Sequence, residues 1–159
     1  MRPASVEPAA DCVFCRIAGR ELTPDVLAFR DDHTAVFPCH HQQPRNQGHM
    51  LVVPTRHVAH LYDLPDDLAG PLMTTLARVA AAVKTAFGAD GVSVRQNNEH
   101  HGGQDVFHVH FHVIPRFEDD GFNAGEDRFP DGAIEVPLAR RIEQAAKLSE
   151  ALGQVRPRP

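Results

Sequence analysis

The sequence lacks the features that would place the chain in a membrane or on a nucleic acid. Its 159 residues contain no run of about 18 apolar residues, the length that a membrane-spanning helix requires. The net charge is -5, so we do not expect the basic face that non-specific nucleic-acid binding needs. Residues 1–10 have no apolar signal-peptide core, so we predict a loose tail and a cytoplasmic protein.

Cysteine is scarce, and its odd number without a secretion signal is poor evidence for a disulfide framework. The chain has only three cysteines: Cys12, Cys15 and Cys39. Histidine is abundant instead, with eleven residues in the chain. Several of them cluster, as His40 and His41, His100 and His101, and His108, His110 and His112. This clustering is the unusual feature of the composition.

Hydrophobic periodicity and turn residues predict an α+β domain with a five-stranded antiparallel sheet. The predicted strands cover residues 25–30, 34–37, 49–53, 91–96 and 106–114. The predicted helices are a short N-terminal one at 12–20, a long one at 65–88 and a C-terminal one at 137–152. The long helix carries one apolar stripe at steps of three or four residues from Leu68 to Phe87.

The remaining segments are polar and rich in turn residues, which predicts loops at 40–47, 97–104 and 118–132. We therefore divide the chain into three parts. These are an N-terminal tail at 1–10, a main domain at 11–118 and a C-terminal loop and helix at 119–159.

The most informative segment is an alternating run, His108-Val109-His110-Phe111-His112. In a strand, the three histidines share one face, and the apolar residues between them face the core under the long helix. A slip of one residue would bury all three imidazoles, so the apolar face fixes the register. Surface histidines and a cage for a metal ion are the alternatives to a reactive site.

This run resembles the His-x-His-x-His signature of the histidine-triad (HIT) superfamily, in which x is apolar. Shorter motifs extend the resemblance from Cys12 to about Phe117. Gly48–Pro54 is similar to the second strand block of the family, Asn97 with Gly102-Gly103-Gln104 to its phosphate-side loop, and Cys12–Ile17 to the beginning of many bacterial members. The resemblance implies a HIT-like fold with the helices and sheet described above.

The resemblance also implies an enzyme, a nucleotide hydrolase or transferase. His110 matches the middle histidine, which attacks the α-phosphate of a nucleotide and forms a nucleotidyl-histidine that water resolves. A neutral imidazole, with an unperturbed pKa near 6.5, is available for such an attack at neutral pH. Its other ring nitrogen must be held by an acceptor, which in the family is a backbone carbonyl of the signature strand. The implied substrate is a purine nucleotide, either a phosphoramidate or a dinucleoside polyphosphate.

Further matches surround the phosphate. His112 matches the third histidine, which contacts the phosphate and assists the leaving group; a glutamine stands there in the hexose-phosphate uridylyltransferase branch, so His112 favours a hydrolase. His49 matches another histidine near the phosphate. Asn97 and Gln104 match hydrogen-bond donors of the phosphate region.

Asp105 belongs to the same phosphate-side group, but it departs from the family pattern, because many members carry Ser or Thr at this position. A carboxylate beside a phosphate is repulsive unless it is protonated or turned away. Asp105 therefore either changes which leaving group is tolerated or points to solvent.

Cys12 and Cys15 form a Cys-x-x-Cys pair, which is half of a tetrahedral zinc site. Similar bacterial members complete this site with the histidine of a Pro-x-x-His segment, here His57, and with the first signature histidine, here His108. The resemblance therefore implies a structural zinc and no catalytic metal. A redox pair and two buried cysteines without metal are the alternatives.

A second departure concerns the ribose. Many members carry an acidic residue shortly after the phenylalanine of the second strand, where this chain has Phe37-Pro38-Cys39, so the ribose contact stays unassigned. Members of this size are usually homodimers through the long helix and the fourth strand, and we expect the same here. The rival functions are a nucleotide-binding or scaffold protein with vestigial catalysis and a metallohydrolase.

Overall fold

The computed structural model describes residues 10–122 and 132–155. Its helices are α1 (Val13–Ala18), α2 (Asp66–Phe87) and α3 (Leu138–Gln154). Its strands are β1 (Phe29–Arg30), β2 (Thr34–Pro38), β3 (His41–Gln42), β4 (Met50–Pro54), β5 (Gly91–Gln96), β6 (Phe111–Arg116) and β7 (Ile134–Glu135). All three predicted helices are present, each within two residues of its predicted bounds.

Five strands form one antiparallel sheet in the order β1-β2-β4-β6-β5, with the α2 and α3 helices packed on it. This arrangement confirms the predicted α+β class with a five-stranded antiparallel sheet, a long helix and a C-terminal helix. Two short strands, β3 and β7, form a second sheet in which His41 pairs with Glu135. Among residues 10–122 and 132–155, no helix has both the length and the apolar character that crossing a bilayer would require.

The main sheet is buried on both faces, which explains the unbroken apolar run of β4. Met50 and Val52 join the larger core cluster, which includes buried side chains of α2 and α3. Leu51 and Val53 join a second cluster on the opposite face, where Phe14 and Ile17 of α1 pack. Each of these apolar side chains contributes about 1.5–3 kcal/mol when it is fully buried.

The α2 helix begins after Pro65 and ends where Gly88 adopts a left-handed conformation with φ of 63°. Its last residue, Phe87, packs against Gly48, the residue before His49. A Cβ atom at Gly48 would lie 2.6 Å from the Phe87 ring, and its φ of +103° is also unfavourable for other residues. Glycine is therefore required at this position, and it helps to place His49 at the end of the sheet.

The predicted strand at 106–114 is wrong at both ends, because β6 covers Phe111–Arg116. Before it, the Val109 N–H donates to the Val58 carbonyl outside the sheet. At the other end Pro115 continues the strand, because β4 pairs with β6 only from Phe111 to Val113, so the missing proline N–H costs no hydrogen bond to β4.

Two further boundaries differ from the prediction. Residues 25–30 are a strand only at Phe29–Arg30, because Pro24 begins a 3-10 turn that runs to Val26. The predicted loop at 40–47 contains β3, whose partner β7 lies more than 90 residues later in the chain. Most of the predicted tail and residues 123–131 of the predicted loop lie outside the described residues.

Candidate active site

His110 lies just before β6, on the face of the sheet that packs against α1. Its Nδ1 lies 2.7 Å from the backbone carbonyl of His108. Because a carbonyl oxygen only accepts, Nδ1 carries the proton and donates it, and Nε2 of the neutral ring keeps its lone pair. The His110 side chain is buried and lines a cavity, so a molecule inside the cavity would lie beside this ring.

His112 and His49 lie next to this ring. The ring centroids of His110 and His112 are 4.9 Å apart, and His49 Nε2 lies 2.9 Å from His112 Nδ1, so one of these two rings donates to the other. Burial, together with the neighbouring His110, lowers the pKa of His112 to about 3. Burial also lowers the pKa of His49 well below its ordinary value, so both rings are neutral at pH 7.

The cavity beside these histidines has a volume of about 500 Å³, a typical size for a site that binds a small organic molecule. One wall is apolar and comes from α1, the turn after it, β2 and β4: Val13, Phe14, Ile17, Leu22, Phe37 and Leu51. The polar part of the lining includes Cys39, His40, His41, Asp105, His110, His112 and Arg141. The site therefore combines this apolar wall, which we call the apolar slot, with imidazole side chains.

Asp105 is both exposed and close to the reactive nitrogen. Its Oδ1 lies 3.6 Å from His110 Nε2, although 82% of the side chain is exposed to solvent. The same oxygen accepts a hydrogen bond of 2.9 Å from the backbone N–H of Val106, which orients the carboxylate. A carboxylate of the cavity lining is thus held beside Nε2 of His110.

Gln104 and Asn97 use their amides within the adjoining loop. Gln104 is 2% exposed, donates to the carbonyls of Ala59 and Val106, and accepts from the Glu99 N–H. Asn97 donates to the Gly103 carbonyl. In the described part of the chain, neither amide belongs to the cavity lining, and their contacts instead fix the loop that leads to Asp105.

A second group of side chains, outside the cavity lining, could hold a metal ion: Cys12, Cys15, His57 and His108. The sulfur of Cys12 lies 3.4 Å from Nδ1 of His108, and that of Cys15 lies 3.4 Å from Nδ1 of His57. His108 Nε2 lies 2.9 Å from the Pro54 carbonyl and donates to it, which leaves Nδ1 unprotonated and directed at the sulfurs. The four residues predicted as ligands are therefore brought together.

Several residues that line the cavity have no role predicted from the sequence, among them Cys39, His40, His41 and Arg141. Burial raises the pKa of the Cys39 thiol to about 11, so it is protonated at neutral pH. Cys39 follows β2, and the end of that strand could have indicated its position. Arg141 lies in α3, far along the chain from the histidines, and no local pattern connects it with them.

Comparison with known proteins agrees with this geometry. The family model "HIT domain" matches residues 20–119, which is more than half of the chain. An adenosine 5'-monophosphoramidase of Saccharomyces cerevisiae is 35% identical over 147 residues, covering 89% of this chain and 87% of the yeast protein.

Two solved structures are similar over most of their length. A HIT-like protein from Bartonella henselae has a TM-score of 0.75 and 33% identity, covering 90% of this chain and 97% of that one. A zinc-bound histidine triad family protein from Mycobacterium smegmatis has a TM-score of 0.71 and 30% identity, covering 91% and 94%. The matched HIT domain and these relatives, together with a cavity lined by His110 and His112, show that the chain belongs to the histidine triad (HIT) family.

Proposed function

We propose that the chain is a nucleotide hydrolase or transferase in which His110 attacks the α-phosphate of a purine nucleotide and forms a covalent nucleotidyl-histidine. One observation carries the proposal: the hydrogen bond from His110 Nδ1 to the His108 carbonyl, which leaves Nε2 as a nucleophile facing the cavity. The activity named for the yeast relative, that of an adenosine 5'-monophosphoramidase, supports a phosphoramidate as one substrate.

In the proposed reaction, the base lies in the apolar slot and the α-phosphate lies beside His110. The Nε2 lone pair forms a bond to phosphorus, and the bond to the leaving group breaks, with its electron pair going to the leaving atom. Water then attacks phosphorus and loses one proton to the solvent, the P–Nε2 bond breaks with its electron pair going to Nε2, and the ring regains its lone pair. The protein contributes a nucleophile and a fixed orientation of the substrate.

His112 and His49 act on the phosphate in this proposal as a neutral pair. If His49 Nε2–H donates to His112 Nδ1, then neutral His112 carries its one N–H proton on Nε2 and can donate a hydrogen bond to a phosphoryl oxygen or to the leaving atom. The low pKa of His112 supports a neutral donor at neutral pH in the free enzyme. Such a donor stabilises charge that develops on the phosphoryl group.

We assign Asn97, Gln104 and Asp105 to the phosphate side of the site. Asn97 and Gln104 act by holding the loop, because their amides are engaged with its backbone. Asp105 lies closest to the reacting atom and acts on the charge of the substrate. In this proposal, Asn97 and Gln104 therefore affect the phosphate through the position of the loop and not by donating hydrogen bonds to it.

For the group of Cys12, Cys15, His57 and His108, which we call the metal cluster, we propose that it binds one structural zinc ion. Tetrahedral zinc has Zn–S distances of about 2.3 Å and Zn–N distances of about 2.0 Å, which places sulfur and nitrogen ligands roughly 3.5 Å apart. The sulfur–nitrogen distances of 3.4 and 3.5 Å in this cluster fit that geometry. When bound, the ion would link α1 to His57 and His108 and hold the backbone whose carbonyl orients His110.

We also propose a homodimer through α2 and β5. The β5 strand is at the edge of the main sheet and pairs only with β6 in the described part of the chain. Two apolar side chains are exposed on these elements, Met73 on α2 and Val94 on β5. An open strand edge with exposed apolar residues is a typical surface for pairing with a second copy.

Trapping of the covalent intermediate tests the reaction. We would mix the protein with adenosine 5'-phosphoramidate, quench within seconds and measure the intact mass of the chain. The expected result is an adenylyl adduct in the wild type that is absent from His110→Ala. His101→Ala is the matched control, because that histidine is exposed in the neighbouring loop, and it should still form the adduct.

Nucleotide binding with neither an adduct nor turnover in the wild type would contradict the covalent mechanism. It would favour the alternative, a nucleotide-binding protein with vestigial catalysis. Turnover that a chelator abolishes and added metal restores, again without an adduct, would favour a metallohydrolase.

A further inference from the structure

Arg141 reaches the active-site cavity from α3, which lies outside the matched HIT domain. The helix is fixed against the rest of the fold, because Ala145 and Leu148 are buried in the larger core cluster. Gln144, on the turn after Arg141, donates to the buried side chain of Gln42 and accepts from it. The guanidinium is therefore presented to the cavity by a rigid element.

The charge of Arg141 has no carboxylate partner in residues 10–122 and 132–155. Its side chain is half-buried, and Nε donates to the Val136 carbonyl at 3.2 Å. That contact orients the planar group, and within the described residues neither terminal nitrogen has a hydrogen-bond acceptor. A fixed guanidinium whose two terminal nitrogens can still donate matches two oxygens of a phosphate group.

The surroundings of Arg141 are suited to an anion. Cys39, His40 and His41 also line the cavity. Burial raises the pKa of the Cys39 thiol, and both charged groups of the lining also act on it: Asp105 raises its pKa and Arg141 lowers it. Glu135 lies beside His40, with 3.1 Å between the carboxylate and the imidazole. Asp105 is the only carboxylate in the described lining, and it lies beside His110.

We propose that Arg141 binds a second phosphate group of the nucleotide, distinct from the α-phosphate that His110 attacks. The inference rests on the proposed function, and it predicts that nucleotides with at least two phosphate groups bind more tightly than those with one. The second phosphate could be on the ribose, at the 2' or 3' position, or it could be the next group of the 5' chain. In each case the binding chemistry is the same, a phosphate against a guanidinium.

Binding of matched nucleotides tests the inference. We would measure, by calorimetry on the full-length protein at one ionic strength, the Kd of AMP, ADP, adenosine 3',5'-bisphosphate and adenosine 2',5'-bisphosphate. At least one of the three ligands with two phosphates should bind about tenfold or more tightly than AMP, as expected for a charge-assisted contact. The ligand that gains affinity identifies where the second phosphate is attached.

The gain in affinity that the second phosphate provides should depend on Arg141 and not on the positive charge of α3 in general. In Arg141→Gln, the ratio of the AMP Kd to that of the tighter ligand should fall to about one, and Arg141→Lys should give an intermediate ratio because lysine keeps the charge but loses the planar fork. Arg140→Gln is the matched control, since Arg140 is the neighbouring cation on the same helix and pairs with Glu143. It should keep the wild-type ratio.

Three other results would contradict the inference, the assignment to Arg141 or the proposed function itself. If the wild type binds AMP but gains nothing from a second phosphate, the inference is wrong and the proposed function stands. If a gain persists in Arg141→Gln, another group binds that phosphate and the assignment to Arg141 is wrong. If the wild type does not bind AMP at all, the proposed function fails as well. Thermal unfolding of each variant shows whether α3 remains folded.

Discussion

A single backbone hydrogen bond determines the chemical state of His110. Its donor is Nδ1 of the imidazole, and its acceptor is the carbonyl of His108, a residue whose own ring belongs to the metal cluster. Neutral histidine in water exists as two tautomers, and this contact selects the one whose Nε2 can attack. The nitrogen that we propose as the nucleophile and the four residues of the candidate metal site are thus connected by one short segment of backbone.

Asp105 gives the first prediction. Its carboxylate lies 3.6 Å from His110 Nε2, so it should repel an α-phosphate, and it should repel a departing anion more than a departing amine. We expect Asp105→Ser to raise kcat/KM for a dinucleoside polyphosphate, relative to a phosphoramidate, by about fivefold to tenfold, since solvent screens an exposed charge. Steady-state kinetics with both substrates measure this ratio.

Glu99→Gln is a control for that experiment, because it removes a carboxylate from the neighbouring loop that is not part of the described lining of the cavity. Its substrate ratio should stay near the wild-type value. An unchanged ratio in Asp105→Ser would show that the carboxylate turns away when substrate binds.

Asp120 gives a prediction about stability. Hydrogen bonds from Arg116, with further bonds from backbone N–H groups and Asn46, hold the pKa of Asp120 well below its usual range despite its burial. A depressed pKa in the folded state stabilises the protein at pH values above the unfolded pKa of about 3.9, and this contribution is lost as the pH falls below it. Asp120→Asn should therefore lower the free energy of unfolding by about 3 kcal/mol at pH 7.

Urea unfolding at pH 7 and at several values below pH 4 measures this effect. The difference between wild type and Asp120→Asn should decrease as the pH falls. A difference that is constant with pH would mean that packing, rather than the charge of Asp120, causes the loss.

At the scale of elements, the metal cluster links α1 to the segment that carries the histidines. Cys12 and Cys15 lie at the start of α1, a helix of only six residues that could not be stable alone. Removing the metal with a chelator should lower the Tm by several degrees, since 1 kcal/mol corresponds to about 2–4 °C for a chain of this size. Differential scanning calorimetry, together with metal analysis of the purified protein, measures this shift.

Cysteine variants separate this cluster from the remaining thiol. Cys15→Ser should remove the effect of the chelator, whereas Cys39→Ser, which changes a cysteine outside the cluster, should keep it. A wild-type protein that contains no zinc and whose Tm is insensitive to the chelator would contradict the structural role.

Elements differ in how far the sequence predicts them. The bounds of α2 follow from its apolar stripe, its proline start and its glycine end, all of which are local features. The β3–β7 pair depends on a partner more than 90 residues away, and β3 has only two residues, so no periodicity could indicate it. The start of β6 was missed because the histidine alternation continues before it, where the backbone leaves the sheet at Val109.

In the candidate site, too, the sequence indicates the residues that belong to local motifs and not those that distant packing brings together. The resemblance selected His110 and the four metal-cluster residues from short motifs, because their roles depend on spacing along the chain. Arg141 comes to the cavity through the packing of α3 on the core, a tertiary contact that leaves no trace in spacing. The apolar slot likewise needs α1, β2 and β4 together, and no one segment reveals it.

For the molecule as a whole, the open edge of β5 predicts how two copies meet. Val94 is 45% exposed on that edge strand, and a lysine there would place an unpaired charge at the proposed interface. Val94→Lys should convert the dimer to a monomer, measured as molar mass by light scattering after gel filtration. Ile134→Lys is the matched control, since Ile134 is 50% exposed on a strand of the other sheet, and it should remain a dimer. A dimeric Val94→Lys protein would require an interface that does not use β5, and a monomeric wild type would contradict the homodimer itself.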